Sequence, residues 1–422
     1  MQKHLFKTGG LWKRCAIISA LFLFAAPPLA AKELKDILKH SLIADPALLE
    51  ARAMENAAKS TTKATQAGHY PVLTLTGTSV LAQKHKYASN DKDDGLGVRG
   101  NLNLYSWGGI SASVRRDKQK EIYQKYKYFE TQEQLGSTIG KLYLTALRAK
   151  ESLQINRQSL SRHNNLLKDL SVIVKYDGGR RSELIEARAR QLQVETNISQ
   201  QTRTMELALS RLSKYTGSRL SADDLQDPFR SESAVSLVRR FKNDDNGINP
   251  SYLAQQAERE SANEELAVAK AARMPSVNLE GNASRETREL YVNMSWNVLD
   301  MAARYNVAKN AETLIAAESK LDQIVREVAE KSQTAEIDMA QSEQRSDITA
   351  QHIVAQKEVV KAYELQFKIA RRTLTDVLGA YTELAGIEQE YVSARNDFRD
   401  AALDYLVAQS QVANWAGVIQ EK

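Results

Sequence analysis

A mainly α fold with a small β part is predicted for this 422-residue chain, built as two repeats of helix, strand, strand, long helix and helix. Three observations predict it. The segment Tyr70-Pro71-Val72-Leu73-Thr74-Leu75 is answered by Met274-Pro275-Ser276-Val277-Asn278-Leu279. Further on, Arg180-Arg181-Ser182-Glu183-Leu184-Ile185-Glu186-Ala187 is answered by Thr373-Leu374-Thr375-Asp376-Val377-Leu378-Gly379-Ala380 without a gap. Such doubling marks a supersecondary unit that needs a copy beside it to bury its apolar face. Proline is scarce: none falls between Pro71 and Pro228 or after Pro275, so long unbroken helices are allowed there. Finally, each repeat carries a pair of segments that alternate apolar and polar residues, the period of a strand.

Residues 1–31 read as a signal peptide. Lys3, Lys7, Lys13 and Arg14 precede an apolar stretch from Ala16 to Ala26, followed by Pro27, Pro28 and small residues through Ala31. That order fits a secretory leader cut after Ala30 or Ala31, and the stretch is far short of the roughly 20 residues of a spanning helix. Cys15, the one cysteine, precedes the apolar stretch, so the mature chain should have no disulfide and no lipid on a thiol. The four leader cations account for most of the formal charge of +6, which makes the basic balance weak evidence for nucleic-acid binding.

The first repeat spans 32–216. Leu34 to His69 favours helix, and Pro71 ends it. A strand is expected at about 72–81, with Leu73 and Leu75 on one face and Thr74, Thr76 and Thr78 on the other. A polar loop, Gln83 to Gly95, leads to a second strand at about 97–105, where Val98, Leu102 and Leu104 alternate with Arg99, Asn101 and Asn103. A helix of about 100 Å follows Gly108-Gly109 and runs to about Tyr176. Its seam is Leu135, Ile139, Leu142, Ala146, Ala149, Leu153, Leu160, Leu167, Leu170 and Val174, interrupted by Asn156 and His163 at positions suited to setting register. A shorter helix from Arg181 to Tyr215 returns from a basic corner.

Residues 217–250 read as a connector with one short helix, rich in Gly217, Asp223-Asp224, Pro228 and Asn243-Asp244-Asp245-Asn246-Gly247. The second repeat, 251–422, begins with a helix from Tyr252 to Ala272. Strands at about 275–284 and 290–299 then put Val277, Leu279, Leu290, Val292, Met294 and Trp296 against Ser276, Asn278, Glu280, Tyr291, Asn293 and Ser295. The matching long helix runs from about Ala302 to Phe367 with the seam Leu314, Ala317, Leu321, Ile324 and Val328, and a last helix covers Leu374 to Trp415. The half-length helices, stacked end to end, match one long helix, and the connector lies where they meet.

An amphipathic strand serves half of a soluble sandwich as well as a membrane barrel. Four strands, however, are too few to close a sheet or shield its edges, and roughly ten residues is the length of a tilted membrane strand. Several copies could close a barrel together, apolar faces toward lipid and polar faces toward water. Tyr70, Tyr105 and Trp107 then fall where an interfacial aromatic belt sits.

Catalytic patterns are missing. Gly95-Leu96-Gly97-Val98-Arg99-Gly100 has the letters of a dinucleotide fingerprint but opens a strand rather than a helix. His4, His40, His69, His85, His163 and His352 show no ligand spacing. No enzyme activity, cofactor or metal is expected.

Over essentially the whole mature chain the residues resemble the TolC family of outer-membrane channel proteins. The resemblance rests on the doubled element order, on Leu104-Tyr105-Ser106-Trp107-Gly108-Gly109 at the strand-to-helix junction, and on Phe367-Lys368-Ile369-Ala370-Arg371-Arg372-Thr373-Leu374-Thr375-Asp376-Val377-Leu378 at the second corner. It implies a homotrimer with a twelve-stranded barrel in outer-membrane lipid and a periplasmic coiled-coil tunnel. It also implies a passive exit duct that meets a periplasmic adaptor and an inner-membrane transporter of ABC or RND type, passing drugs or type I secreted proteins. By the resemblance Arg372 is the basic link of a gate, Ser182 and Glu183 its partners and Asp376 the acid lining the constriction; the family's second acid is Gly379 here. An adaptor or coiled-coil scaffold is the alternative, but adaptors place one helical hairpin in a small β domain, whereas this chain has two hairpins and two strand pairs.

Overall fold

The computed structural model describes residues 33–82, 95–217, 220–242, 249–285 and 287–418. The leader with Cys15, most of the polar loop after the first strand, His4, His85 and Asn243 to Gly247 lie outside the described residues.

The first repeat begins with two helices rather than one: α1 (Leu34–Ala44) and α2 (Pro46–Gln66). The expected continuous helix is broken at Asp45, whose extended backbone and side chain cap α2 through the N–H of Ala47 at 2.9 Å. Pro46 occupies the first helical position, where its missing N–H costs nothing. A short 3-10 turn, Ala67–His69, leads into β1 (Val72–Thr78), followed by β2 (Gly95–Tyr105), both close to the expected strands.

The long helix α3 (Gly109–Tyr176) and the returning α4 (Arg181–Thr216) form the first hairpin. The connector holds a 3-10 turn, Ala222–Asp224, and one helix, α5 (Ala234–Phe241), capped reciprocally by Ser233 and Ser236. The second repeat supplies α6 (Pro250–Ala271), β3 (Ser276–Ala283), β4 (Arg288–Ser295), α7 (Met301–Lys368), α8 (Leu374–Ala408) and the single turn α9 (Val412–Trp415). Both long helices have 68 residues, about 100 Å of helix each. Along α3 pack α2, α4, α6 and α8, and along α7 pack α6 and α8. None of the described helices is long and apolar enough to cross a membrane.

Two apolar cores hold this arrangement. The larger lies at the connector, where Phe229 stacks on Trp415 with centroids 5.0 Å apart and Ile139, Tyr143, Leu403, Tyr405 and Leu406 are fully buried. The Tyr143 hydroxyl donates to Gln226 O at 2.9 Å and accepts from Gln226 N at 2.8 Å, so the connector is pinned by the backbone hydrogen bonds that its own chain cannot supply. Beside it, Arg399 is nearly enclosed and binds both oxygens of Glu151, at 2.7 and 2.8 Å, and Asp227 at 2.7 Å. One guanidinium thereby joins α3, the connector and α8. The smaller core lies at the other end of the hairpins, built from Leu166, Leu170, Ala187, Phe367, Leu374, Val377 and Tyr381.

The predicted α3 seam is buried at Leu135, Ile139, Ala146, Ala149, Leu153 and Leu170, while Leu142, Leu160, Leu167 and Val174 are half-buried. His163 is buried with its Nδ1 2.9 Å from Ser159 O and its ring edge-on to Tyr381, a packed core position. Asn156 donates to Ser152 O at 2.8 Å on its own helix. The α7 seam, Leu314, Ala317, Leu321, Ile324 and Val328, is half-buried throughout.

Candidate functional site

Two places stand out, one at each end of the helices. The first is the sheet. All four strands join in one antiparallel sheet in the order β1-β2-β3-β4. Cross-strand partners point to the same face, so the register sorts the side chains. Leu75 faces Val98, which faces Ala283; Leu102 faces Leu279, which faces Val292; Val277 faces Met294. Leu73 and Leu290 sit opposite Gly100 and Gly281 in the row between them. The apolar residues expected on one side therefore do share one face, and Leu73, Leu75 and Leu290 are each 74% exposed in the single chain.

The opposite face is a ladder of amides and hydroxyls. Asn103 donates to Asn278 at 2.9 Å, and Glu280 accepts from the Tyr291 hydroxyl and from Asn293, each at 3.1 Å. Two departures from simple alternation occur. A register shift after Asn103 sets Tyr105, not Leu104, opposite Val277, as a bulge does by placing one extra residue in one strand. Trp296 lies one residue beyond β4, where its indole N–H donates to Arg273 O at 3.1 Å.

The Leu104 to Gly109 segment owes its residues to a tight turn. Trp107 and Gly108 both have positive φ, 54° and 79°, and Gly109 N donates back to Ser106 O at 2.8 Å. Gly109 lacks a side chain where a Cβ would sit 3.3 Å from that of Ala271, so α3 can start close against α6. Tyr105 and Trp107 lie 5.3 Å apart, centroid to centroid, and both are about half exposed. The dinucleotide-like letters Gly95 to Gly100 are the first half of β2.

The second place is the pair of hairpin corners. α7 ends at Lys368, Ala370 takes a left-handed conformation at φ 54°, and Arg371 N closes the turn on Gln366 O at 2.9 Å. Thr373 then caps α8. Its hydroxyl accepts from Asp376 N at 3.2 Å, while the Asp376 carboxylate accepts from Thr373 N at 3.1 Å and from the Thr373 hydroxyl at 2.8 Å. This reciprocal box explains the Thr and Asp of the segment, and burial of Leu374, Val377 and Leu378 explains its apolar residues. The Thr373 hydrogen bonds, with Arg372 nearby, hold the Asp376 carboxyl below its usual range, so it stays charged.

Within one chain the expected gate residues fall into two groups. Arg372 lies over the Tyr363 ring at 4.3 Å, donates to Gln366 at 3.1 Å and stands 3.9 Å from Asp376. Glu183 is gripped by Arg180 through two bonds of 2.7 and 3.1 Å, and Arg180 in turn covers the Phe367 ring. Ser182 is exposed in the first turn of α4. The chain does not itself bring Arg372 to Ser182 or Glu183. Sequence reading missed Arg180, Tyr363 and Gln366, although the three-residue step from Arg180 to Glu183 marks neighbours on a helix.

An apolar sheet face with no further strand at either edge among the described residues, carried by paired helices of about 100 Å, suits an outer-membrane channel protein. Comparisons agree. The family described as outer membrane efflux protein matches residues 37–218. Outer membrane protein TolC of Vibrio cholerae is 21% identical over 93% of this chain and 92% of its own. Among solved structures, the outer-membrane channel OprN superposes with a TM-score of 0.77 at 17% identity, covering 91% of this chain and 90% of that one. The Vibrio cholerae outer membrane protein VceC gives 0.77 at 14% identity, covering 89% and 96%. Residues 37–218 thus match the outer membrane efflux protein family, and nearly the whole chain is similar to outer-membrane channel proteins.

Proposed function

We propose that three copies of the chain form the exit duct of a tripartite export system, meeting a periplasmic adaptor and an inner-membrane transporter. The observation that carries this reading is the exposed apolar face of a four-stranded sheet with two free edges. Unpaired edge N–H and C=O groups are not tolerated in lipid, so β1 of one copy must meet β4 of the next until the ring closes. The half-buried α7 seam fits the same assembly, because neighbouring copies would cover the rest of it.

In this reading Leu73, Leu75, Leu102, Leu104, Val277, Leu279, Leu290, Val292, Met294 and Trp296 face lipid. Arg372, Asp376, Ser182 and Glu183 govern the periplasmic opening, with Arg372 reaching Ser182 or Glu183 across a boundary between copies. Three copies of the Asp376 charge around one axis would favour cations, since like charges at short range repel strongly where water is scarce. Single-channel recording of the reconstituted protein tests both points. Arg372→Ser is expected to raise the open conductance, and Asp376→Ala to lower the preference for cations over anions. Unchanged conductance and selectivity in both variants would remove these residues from the gate.

A further inference from the structure

The register sorts the charges of the polar sheet face into rows. Thr74, Arg99, Asn282 and Glu289 form one row, in which the cation and the carboxylate balance. Val72, Asn101, Glu280 and Tyr291 form the next polar row toward the helices, and it has a carboxylate but no cation. The row beyond, Asn103, Asn278 and Asn293, holds amides alone. Among the described strand residues this face therefore sets Arg99 against Glu280 and Glu289, an excess of one negative charge per chain.

Glu280 is also held in place. Its two oxygens accept from the Tyr291 hydroxyl and the Asn293 amide, each at 3.1 Å, and both donors are neutral. A neutral donor orients a carboxylate without cancelling its charge, whereas a guanidinium would do both. A ring closed from three such sheets has a backbone radius of about 12 Å, given ~4.8 Å between strands and a tilt of about 40°. A glutamate reaches roughly 5 Å inward, so its charge stands about 7 Å from the axis, inside the ~10 Å over which 0.1 M salt screens.

We propose that Glu280 sets a charge filter inside the barrel, which favours solutes of net positive charge over anions at the outer end of the duct. The filter rests on the export-duct reading, which supplies the ring. It is separate from Asp376, which lies at the far end of helices of about 100 Å. Carboxylates from all copies, facing one axis, raise the local concentration of cations and deplete anions.

The test is single-channel recording of the reconstituted protein, with reversal potentials measured in salt gradients. Around 0.1 M salt, Glu280→Gln is expected to lower the cation-to-anion permeability ratio by about twofold or more. Near 1 M, where the screening length is about 3 Å, variant and native protein should converge. Asn101→Lys, which sets a cation directly opposite Glu280, should lower the ratio in the same way without removing the carboxylate. It decides the matter where Glu280→Gln fails to assemble. Tyr291→Phe removes a donor but no charge and should leave the ratio as it is. A ratio indifferent to Glu280→Gln or to Asn101→Lys, a difference that persists at high salt, or an equal fall in Tyr291→Phe would each overturn the proposal. Native protein that forms no channel would remove the duct reading and the filter together; channels that ignore position 280 remove the filter alone.

Discussion

Glu133 shows how one buried acid ties the C-terminal turn to α3. It accepts from the N–H of Val412 at 3.1 Å and of Ala413 at 3.5 Å. Burial pushes its carboxyl up to about 7, against these two donors, which pull it down. The folded chain thus keeps a proton that the unfolded chain loses near 4.5, so the stabilisation is full below that value and disappears as pH rises through about 7. We expect the helical part to be less stable at pH 8 than at pH 5.5, by about 2 kcal/mol at this one group, and so to melt at lower temperature. Glu133→Gln, which cannot ionise, should flatten the difference; an identical pH slope in both proteins would refute the assignment. A second residue-scale test concerns Ala370, held at φ 54°. A side chain in this region costs roughly 1 kcal/mol, so Ala370→Gly should raise the urea midpoint and Ala370→Val should lower it.

At the scale of elements, close helix contacts and one buried charge cluster decide the packing. A Cβ at Gly140 would lie 2.5 Å from Leu403, and one at Gly136 2.5 Å from Val412, so α3 meets α8 and α9 more closely than any other residue permits. Gly140→Ala should therefore destabilise by about 1–3 kcal/mol through overpacking, despite its better helix propensity. Gly386, in α8 with nothing within 4 Å, is the control: Gly386→Ala should stabilise by roughly 0.5–1 kcal/mol. Arg399 is the corresponding polar case. Arg399→Ala leaves Asp227 with Arg395 and Glu151 with Asn396 but removes the link between them, and should cost about 1.5–3 kcal/mol, with the connector becoming the first segment to exchange its amide hydrogens. A connector as well protected as in the native protein would show that the pair is dispensable. The element boundaries themselves were largely legible. Period-two alternation marked all four strands, and the absence of proline allowed both 68-residue helices. The break at Asp45 was legible too, in an Asx residue directly before Pro46, but helix-favouring neighbours on both sides obscured it.

At the scale of the whole molecule the apolar sheet face is left uncovered by the single chain. Its sheet has apolar side chains on one face, amides and hydroxyls on the other and, among the described residues, no strand beyond β1 or β4. Val292→Arg places a charge in the middle of the apolar face and should weaken barrel assembly by about 2–4 kcal/mol per copy. Thr76→Arg, on the polar face, should be tolerated. The comparison is read as the yield of detergent-stable oligomer in the outer membrane, and equal yields would argue against lipid contact.

Alternation, repetition and proline placement along the chain were enough to determine the two-repeat order of elements and which strand side chains share the apolar face of the sheet, because periods of 2 and about 3.6 are local properties. Tertiary structure alone decided the rest. Which strands are neighbours, where the bulge shifts Tyr105, and that Arg372 lies beside Tyr363, Gln366 and Asp376 while Glu183 is held by Arg180 all depend on side chains brought together by folding. A charge in a sequence shows only its sign; what it pairs with is settled by geometry, which is why Arg180 emerges as the partner of Glu183 only in the folded chain.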